Sequence, residues 1–462
     1  MVKVGGYRYS SQLARMIGNI ILARLLTPEE FGIVAIITVF SGFIMIFRYS
    51  GINYAVIKDD TILPENAHFI AILFGLIQFS ILALISYPVA WFYKDMALVM
   101  PTIITAFVFI VSSFSVVPMA VLMKEMEFAS LGRINLFSTV FALLVSFVLA
   151  YVGFSYWSLI IQEILFYAGV AIGTMRKAPV KFIVSSLAEL KENLKRLKSL
   201  LRNITGFNIV NYFSRNTDNF LVGKIYGAES LGIYNRAYSF IYLTIGLISG
   251  VTRQVAYPSL EALKKTDPRK VNNEIIFIMQ VVGILVFPIS FICIVFSKEL
   301  VLIMWGKNWL EVADIIPYFG LVLLTQAQTN LVGELFILKN MEARYFNMGL
   351  LNSFLMVSGI VIGVFISFMA VPLFYSIFNL LVFLIILYWA FYKSFRISLK
   401  QVLANWLNVT IASTLLIYAI SQNKPLLSLT VLVLYLLILL SQFIKEHKSA
   451  ISQLIKKLLP NT

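Results

Sequence analysis

The stretch ILARLLTPEEFGIVAI at Ile21–Ile36 has a counterpart 200 residues further along the chain, LVGKIYGAESLGIYNR at Leu221–Arg236. Identical residues at this offset also extend upstream of both stretches. The matching pairs are Arg15 and Arg215, Asn19 and Asn219, Glu29 and Glu229, Gly32 and Gly232, and Ile33 and Ile233. Outside residues 13–33 the identity falls to what apolar composition alone gives. The match predicts an internal repeat, and the repeat sets the organisation of the whole chain.

The composition around this repeat is that of a membrane protein. Of 462 residues, 60% are hydrophobic and only 13% are charged, whereas charged residues make up about 25% of an ordinary soluble domain. A membrane span with its connection takes about 30 to 35 residues, so the chain has room for about 13 to 15 spans. The sequence therefore predicts an all-α polytopic membrane protein.

Apolar runs, separated by turn residues and charges, predict about 14 transmembrane helices. Their approximate limits are residues 7–26, 31–52, 67–92, 97–122, 129–152, 155–175, 203–225, 231–252, 273–296, 312–338, 345–367, 370–392, 402–420 and 425–444. Between the first two spans, the turn from Thr27 to Glu30 predicts a helix N-cap, followed by proline in the first helical position and acids that favour the helix dipole.

An even number of spans places both termini on one side of the membrane, and the distribution of lysine and arginine indicates which side. The basic runs 176–202 and 253–270 and the tail lysines fall on the side of the termini. Few cations fall on the other side: Arg24, Lys94, Lys224, Lys298, Lys307 and Lys424. Because cytoplasmic loops carry the excess of positive charge, both termini are expected in the cytoplasm. The net charge of +15 then indicates contact with anionic membrane lipids rather than with nucleic acid.

Spans one and seven begin on the same side, six spans apart, so the repeat is parallel about an axis along the membrane normal. This predicts two six-helix lobes and two additional helices. The expected divisions are an N-terminal lobe at 1–176, a basic amphipathic linker at 177–202, a C-terminal lobe at 203–393, helices 13 and 14 at 394–444, and a basic tail at 445–462. Repeated bundles of this kind rock against each other around a central cavity, which favours transport.

The two repeat stretches and the turn VTRQVAYPSL at Val251–Leu260 resemble the polysaccharide-transport branch of the multidrug/oligosaccharidyl-lipid/polysaccharide flippase superfamily. The resemblance implies a bacterial inner-membrane flippase of the lipopolysaccharide, colanic-acid or teichuronic-acid type. Such a protein moves undecaprenyl-diphosphate-linked oligosaccharide from the inner to the outer leaflet, without a cofactor and without being an enzyme. It also implies partners in the polymerase and export machinery of the same pathway. Relatives carry a longer charged segment before the position of Tyr7, so we expect a longer natural N-terminus.

A diphosphate crossing the membrane needs a cation, and the arginine fork binds phosphate oxygens bidentately. Arg15 in span one and Arg215 in span seven occupy equivalent positions, and they are the first candidates for this contact. For Arg215, a structural ion pair with Asp218 is the alternative. Arg48 and Arg236 are further candidates, but their places near span ends are also explained by snorkelling to lipid phosphates.

Polar residues inside spans are costly in lipid, so they predict the walls of a wet cavity that binds the glycan. The candidates are Asn19, Asn208, Asn211, Tyr212, Asn216, Asn219, Tyr234, Gln326 and Asn330. The acids Glu163, Asp218 and Glu334 are candidates for coupling to a proton or cation, with a helix-to-helix hydrogen bond or salt bridge as the alternative.

Three other classes of function fit less well. With two histidines, His68 and His447, and one cysteine, Cys293, a His/Cys metal site, a disulfide framework and a Cys/His nucleophilic pair are excluded. A multidrug or metabolite exporter of the same superfamily stays open, although arginines within spans favour an anionic substrate. A membrane polysaccharide polymerase would need catalytic residues in a large loop, and the predicted connections are short.

Overall fold

The computed structural model describes residues 2–47, 52–58, 63–183, 187–267 and 270–398, with residues 400, 430 and 433. Within these residues the chain is helical and contains no strand. The first half comprises α1 (Val2–Leu25), α2 (Pro28–Met45), α3 (Ile52–Lys58), α4 (Pro64–Tyr93), α5 (Val99–Lys124), α6 (Phe128–Tyr151) and α7 (Trp157–Lys177). The second comprises α8 (Leu187–Thr266), α9 (Val271–Val295), α10 (Ser297–Met304), α11 (Val312–Thr329), α12 (Val332–Leu338), α13 (Glu342–Ile366), α14 (Ala370–Ile386) and a π-helical end at Leu387–Ser394.

Nine helical segments of the described residues are long and apolar enough to cross a membrane. They are Pro28–Met45, Pro64–Tyr93, Met96–Lys124, Phe128–Tyr151, Trp157–Lys177, Val271–Val295, Val312–Leu338, Glu342–Ile366 and Ala370–Ser394. Helices α1 and α8, which contain predicted spans one, seven and eight, are more polar. Predicted span 402–420, and span 425–444 apart from residues 430 and 433, lie outside the described residues. The polytopic helical class is confirmed, and the count of 14 stays a prediction.

The chain divides into two compact units. Unit 1 comprises Met1–Arg236, Val301–Val312 and Val364–Phe368, and unit 2 comprises Ala237–Leu300, Ala313–Gly363 and Met369–Thr462. In unit 1, α4 packs along α5, α5 along α7, α7 along α6, and α6 along α1. In unit 2, one core joins the end of α8 to α9, α12 and the end of α14, through residues such as Leu260, Ile275, Phe336 and Phe391. The predicted division at residues 177–202 stays a prediction.

The two copies of the repeat begin their second helices differently. In the first copy, the Thr27 side chain accepts a hydrogen bond from the Glu30 backbone N–H at 3.4 Å. The Glu30 carboxylate accepts one from the Thr27 backbone N–H at 2.6 Å, which completes a capping box. The predicted N-cap with proline in the first turn is confirmed. In the second copy, the non-helical backbone of Gly227, at φ 85°, separates α8 into two helical segments.

The two copies meet where their second helices cross, within unit 1. A Cβ atom on Gly32 would lie 1.7 Å from the carbonyl oxygen of Ala228, and a Cβ atom on Gly232 would lie 1.9 Å from that of Pro28. The two contacts are equivalent at the offset of 200 residues, because Pro28 matches Ala228. No side chain fits at either position, so both repeats require glycine in order for the backbones to approach this closely.

A second pair of equivalent contacts supports this crossing. The Arg24 guanidinium donates to the carbonyl oxygens of Ile303 and, at 3.3 Å, Met304, in the last turn of α10. The matching Lys224 ammonium donates to the Phe92 carbonyl oxygen in the last turn of α4. Both acceptor helices then enter a short 3-10 turn, at Met96–Leu98 or Lys307–Trp309. Cations favour helix C-termini because the unpaired carbonyls there carry partial negative charge. Each repeat therefore caps a helix of the other half of the sequence.

The crossing predicts that Gly32→Ala and Gly232→Ala will each destabilise the protein. The added methyl group meets backbone oxygen, which cannot rotate away, so a cost of about 1 to 3 kcal/mol is expected for overpacking. Thermal unfolding of the purified protein in detergent would measure it. The matched control is Gly349→Ala, since nothing lies within 4 Å of a Cβ at that helical glycine. Equal Tm values for all three variants would contradict the close crossing.

Candidate functional site

Arg15 lies in the middle of α1 with its side chain exposed. Its guanidinium carbon is 4.6 Å from the centroid of the Phe166 ring on α7, a distance at which a cation is attracted to the ring face. Within the described residues it forms no ion pair with an acid. The aromatic ring positions the guanidinium without using its N–H groups, so these can still bind an anion.

Arg215 and Asp218 do not form the ion pair that was the alternative in the sequence, as far as the described residues show. Arg215 is exposed on α8, whereas Asp218 is buried. The Asp218 carboxylate accepts hydrogen bonds from the Tyr234 hydroxyl at 2.9 Å and from the Asn219 backbone N–H at 2.8 Å. The hydrogen-bond partners of Asp218 are thus these two neutral donors, and Arg215 is not among them in this conformation.

The two parts of α8 on either side of Gly227 are joined by polar side chains. Besides the bond from Tyr234 to Asp218, the Asn235 amide donates to the Asn219 side-chain oxygen at 3.4 Å. Tyr234 is fully buried, and Asn219 is buried as well. Three predicted site residues, Asp218, Asn219 and Tyr234, thus form one cluster in this conformation. Their polarity holds the two helical segments together.

The other polar residues of α8 mostly bond to nearby backbone. The Tyr212 hydroxyl donates to the Val39 carbonyl of α2 at 2.5 Å, and the Asn216 amide donates to the Tyr212 carbonyl at 2.9 Å. Asn208 and Asn211 lie in α8, but their side chains lie outside the described residues, as does Arg48 altogether. On α1, Asn19 is half-buried, and on α7 Glu163 is half-buried.

Arg236 is in a different environment from Arg15 and Arg215. It is 6% exposed, and its guanidinium carbon lies 3.9 Å from the centroid of Phe31 and 4.8 Å from that of Trp309. Trp309 in turn donates from its indole nitrogen to the Ala23 carbonyl at 2.6 Å. Arg236 therefore belongs to the aromatic packing beside the crossing of α2 and α8, and it is not presented to an open surface.

Three predicted site residues, Gln326, Asn330 and Glu334, lie in unit 2. The Gln326 amide donates to the Tyr375 hydroxyl at 3.3 Å, and its neighbour Thr325 bonds to the side-chain oxygen of Asn379. Asn330 lies in the turn between α11 and α12 and is half-buried. Glu334 lines a small cavity whose walls are otherwise mostly apolar, including Gln328, Leu260, Ile275 and Phe391.

Sequence reasoning did not identify the aromatic residues that position the arginines. Phe166 beneath Arg15, and Trp305 and Trp309 around Arg236, lie in apolar segments where an aromatic residue is expected in any case. The chain contains 38 phenylalanines, so one of them at a helical spacing carries no signal. Phe166 differs from the other phenylalanines only in its contact with Arg15, which the folded structure shows.

Comparison with known proteins places this arrangement in a family. Residues 21–314 match the family described as "Polysaccharide biosynthesis protein", and this range includes both repeat stretches. The chain belongs to that family. The resemblance stated from the repeat is thereby confirmed, and the protein is a multi-pass protein of the inner membrane.

Two bacterial proteins are similar to this chain over part of their length. The "Lipopolysaccharide biosynthesis protein WzxC" of Escherichia coli (strain K12) is 27% identical over 251 residues, which cover 53% of this chain and 49% of that protein. The "Teichuronic acid biosynthesis protein TuaB" of Bacillus subtilis (strain 168) is 24% identical, over 62% of this chain and 59% of that protein. The chain thus spans about half the length of the first relative and somewhat more of the second.

Solved structures show the fold of this family member. "Lipid II flippase MurJ, inward closed conformation" superposes with a TM-score of 0.73 at 13% identity, covering 96% of this chain and 99% of that one. An inward-facing multidrug resistance MATE family transporter of the MOP superfamily superposes with a TM-score of 0.61 at 13% identity, covering 82% of this chain and 93% of that one. At this identity the similarity establishes the fold alone.

The cluster on α8 predicts that Tyr234→Phe will destabilise the protein. The substitution leaves the buried Asp218 carboxylate without one of its donors, which costs about 1 to 3 kcal/mol. Thermal or denaturant unfolding in detergent would measure the loss. The control is Tyr242→Phe, because Tyr242 is 56% exposed and its hydroxyl is not needed to satisfy a buried acid. If Tyr234→Phe unfolds at the same temperature as the control, the hydrogen bond to Asp218 does not stabilise α8.

Proposed function

We propose that this protein is a flippase that moves undecaprenyl-diphosphate-linked oligosaccharide from the inner to the outer leaflet, for assembly of a surface polysaccharide. Family membership over residues 21–314 supports this, as do the names of relatives that serve lipopolysaccharide, teichuronic acid and succinoglycan synthesis. The shared fold with a lipid II flippase over 96% of the chain supports a substrate that consists of a sugar and a lipid diphosphate.

The proposed topology has 14 spans, two six-helix lobes and both termini in the cytoplasm. In this topology the turn at residues 27–30 and the break at Gly227 both lie on the outer side. The crossing of α2 and α8 at Gly32 and Gly232 then closes the outer ends of the helices. This repeat-related crossing is the observation that carries the proposal of alternating access, since one packed junction must separate for the substrate to leave outward.

For the diphosphate we propose Arg15 and Arg215. Both are exposed and lie on helices of unit 1 at equivalent repeat positions, and neither is neutralised by an acid within the described residues. Arg48 and Arg236 are weaker proposals, because Arg48 lies outside the described residues and Arg236 is enclosed by aromatic rings. A charge crossing hydrocarbon is costly without such a partner.

For the glycan we propose the polar faces of α1 and α8, with Asn19, Asn216 and Tyr212, and in unit 2 Gln326 and Asn330. Asn219 and Tyr234 would become accessible only when their cluster with Asp218 opens. Coupling to a proton or cation would then act at Asp218, where opening exposes a carboxylate that is buried in this conformation. Glu334 and Glu163 are the remaining candidates for coupling.

The alternative is a multidrug or metabolite exporter. The superposition on a multidrug resistance MATE family transporter, with a TM-score of 0.61, supports this alternative. Two observations favour the flippase. The superposition on the lipid II flippase covers more of the chain, and the exposed cations on α1 and α8 suit an anionic substrate. A polysaccharide polymerase is the least favoured alternative.

The flippase proposal predicts that Arg15→Ala with Arg215→Ala abolishes export while the protein still inserts in the membrane. In cells that depend on this chain, lipid-linked repeat units would be extracted after treatment with an impermeant glycan-modifying reagent. The double variant should trap single repeat units on the inner leaflet, because the diphosphate loses its cations. The charge-preserving pair Arg15→Lys with Arg215→Lys should retain partial export, and the exposed Arg176→Ala should export normally. Export at the wild-type level by the double alanine variant would refute the role of these arginines.

A deletion strain distinguishes the alternative functions. Repeat units that accumulate on the outer leaflet of this strain would indicate a polymerase, and new drug sensitivity without accumulated units would indicate an exporter.

The outer closure predicts that Arg24→Ala with Lys224→Ala opens α2 to the outside. A cysteine at the buried position Ile36, in a Cys293→Ser background, would be labelled by an impermeant maleimide in cells. Removing two helix caps of about 0.7 kcal/mol each should shift the equilibrium about tenfold and speed labelling accordingly. Lys298→Ala, at an exposed cation near the start of α10, is the control. Unchanged labelling would mean that the two caps do not hold the outer side closed.

A further inference from the structure

In the proposed topology, the hairpin formed by α13 and α14 has its open end on the cytoplasmic side, and the backbone there is irregular. Residues Leu387–Ser394 form a π-helix, a wider turn that is rare and frequently found at functional sites. The Ser394 hydroxyl donates to the Trp389 carbonyl at 2.8 Å, five residues back. The π-helix thereby places Lys393 and Ser394 at the end of α14 in a defined position.

This end of α14 is anchored in the core of unit 2. Phe395 and Ile397 are both buried, and Arg396 between them is exposed with φ 56°. The Asn272 amide donates to the Phe395 carbonyl at 3.2 Å. The left-handed conformation at Arg396 lets its two apolar neighbours enter the core while its own charge stays outside. The backbone beside Lys393 and Arg396 is therefore held in place by the core of unit 2.

One cation contacts the Ser394 side chain and a second directly precedes Ser394 in the chain. Arg344, in the first turn of α13, donates from Nη1 to the Ser394 hydroxyl at 3.3 Å. The Lys393 ammonium lies 4.2 Å from the centroid of the Trp389 ring. Both side chains are exposed, and neither forms an ion pair with an acid of the described residues.

Ordinary helix electrostatics explain only part of this arrangement. Lys393 near the C-terminal end of α14 complements the helix dipole, but Arg344 faces the positive end of α13, where a cation is unfavourable. Glu342, two residues before it, projects from a different side of the helix. An external anion would satisfy both cations.

The surface above the cations fits a lipid chain. On α13, Phe346, Leu350 and Phe354 are exposed, and on α14, Leu384 and Tyr388 are exposed. Apolar side chains on the outside of a membrane hairpin face acyl chains, and aromatic residues at its end occupy the headgroup region. A ligand with a phosphate at the cations and hydrocarbon along this strip is an anionic phospholipid.

We propose that Arg344, Lys393 and the π-helical end of α14 form a binding site for the phosphate headgroup of an anionic phospholipid in the cytoplasmic leaflet. Arg344 binds the phosphate oxygens while Ser394 holds its guanidinium, and Lys393, positioned on Trp389, adds the second charge. This site lies in unit 2 and does not depend on the flippase proposal.

Native mass spectrometry of the full chain in detergent tests the site, with phosphatidylglycerol and phosphatidylcholine added at known concentrations. Arg344→Gln with Lys393→Gln should weaken phosphatidylglycerol binding about 10- to 30-fold, since each cation near the membrane surface contributes comparably. Phosphatidylcholine binding should not change. Arg344→Lys with Lys393→Arg should retain most of the affinity. The control is Lys265→Gln, because Lys265 is exposed on the same side and paired with Glu261.

Other outcomes would overturn the proposal. Equal phosphatidylglycerol binding by wild type and the double glutamine variant would show that these cations do not bind the headgroup. Equal losses of affinity for phosphatidylglycerol and phosphatidylcholine would show that the strip binds acyl chains and that the site does not distinguish the charges of the headgroups. Displacement of phosphatidylglycerol by millimolar inorganic phosphate would indicate a free-anion site. In a parallel measurement with added undecaprenyl phosphate, loss of its binding in the double glutamine variant, with phosphatidylglycerol binding retained, would assign the cluster to the transported lipid.

Discussion

The close approach of α2 and α8 is the constraint on which unit 1 depends. At Gly32 and Gly232 a carbonyl oxygen of one helix occupies the space where a side chain of the other would begin. Helices cross at this distance only when both lack a Cβ at the crossing. The neighbouring contacts follow from it, because Arg24 and Lys224 reach the helix ends beyond the crossing and Trp309 reaches the Ala23 carbonyl.

Several polar groups among the described residues of α8 are satisfied within α8 itself, which limits what they reveal about a substrate. The Asn216 amide and the Thr217 hydroxyl both bond to carbonyls one turn back on their own helix, and Asp218 is satisfied by Tyr234. A membrane interior makes such pairing obligatory, because water is absent. Exposed cations such as Arg15 stand apart from this pattern, and they therefore carry more functional information than the amides do.

Much of the fold could be predicted from the sequence, because it depends on local signals. The apolar runs predicted the spans of α4 to α7, and the Thr27 to Glu30 turn predicted a real capping box. They also predicted a connection between spans 203–225 and 231–252, and the non-helical backbone at Gly227 separates two helical segments of α8 between these limits. Local signals say less about the site: the repeat indicated Arg15 and Arg215, but only packing shows that Phe166 lies beneath one of them. The sequence placed Asp218 three residues from Arg215, and the tertiary structure gave it a different partner.

The crossing also has a consequence for which substitutions an alignment of this family would contain. Two residues whose side chains are in contact commonly change together during evolution, because a larger residue on one side is compensated by a smaller one opposite. A glycine against a backbone carbonyl allows no such compensation, because every residue has the same carbonyl. Positions 32 and 232 would therefore be invariant without covarying, and methods that infer contacts from correlated substitutions would miss the junction that holds the two repeats together.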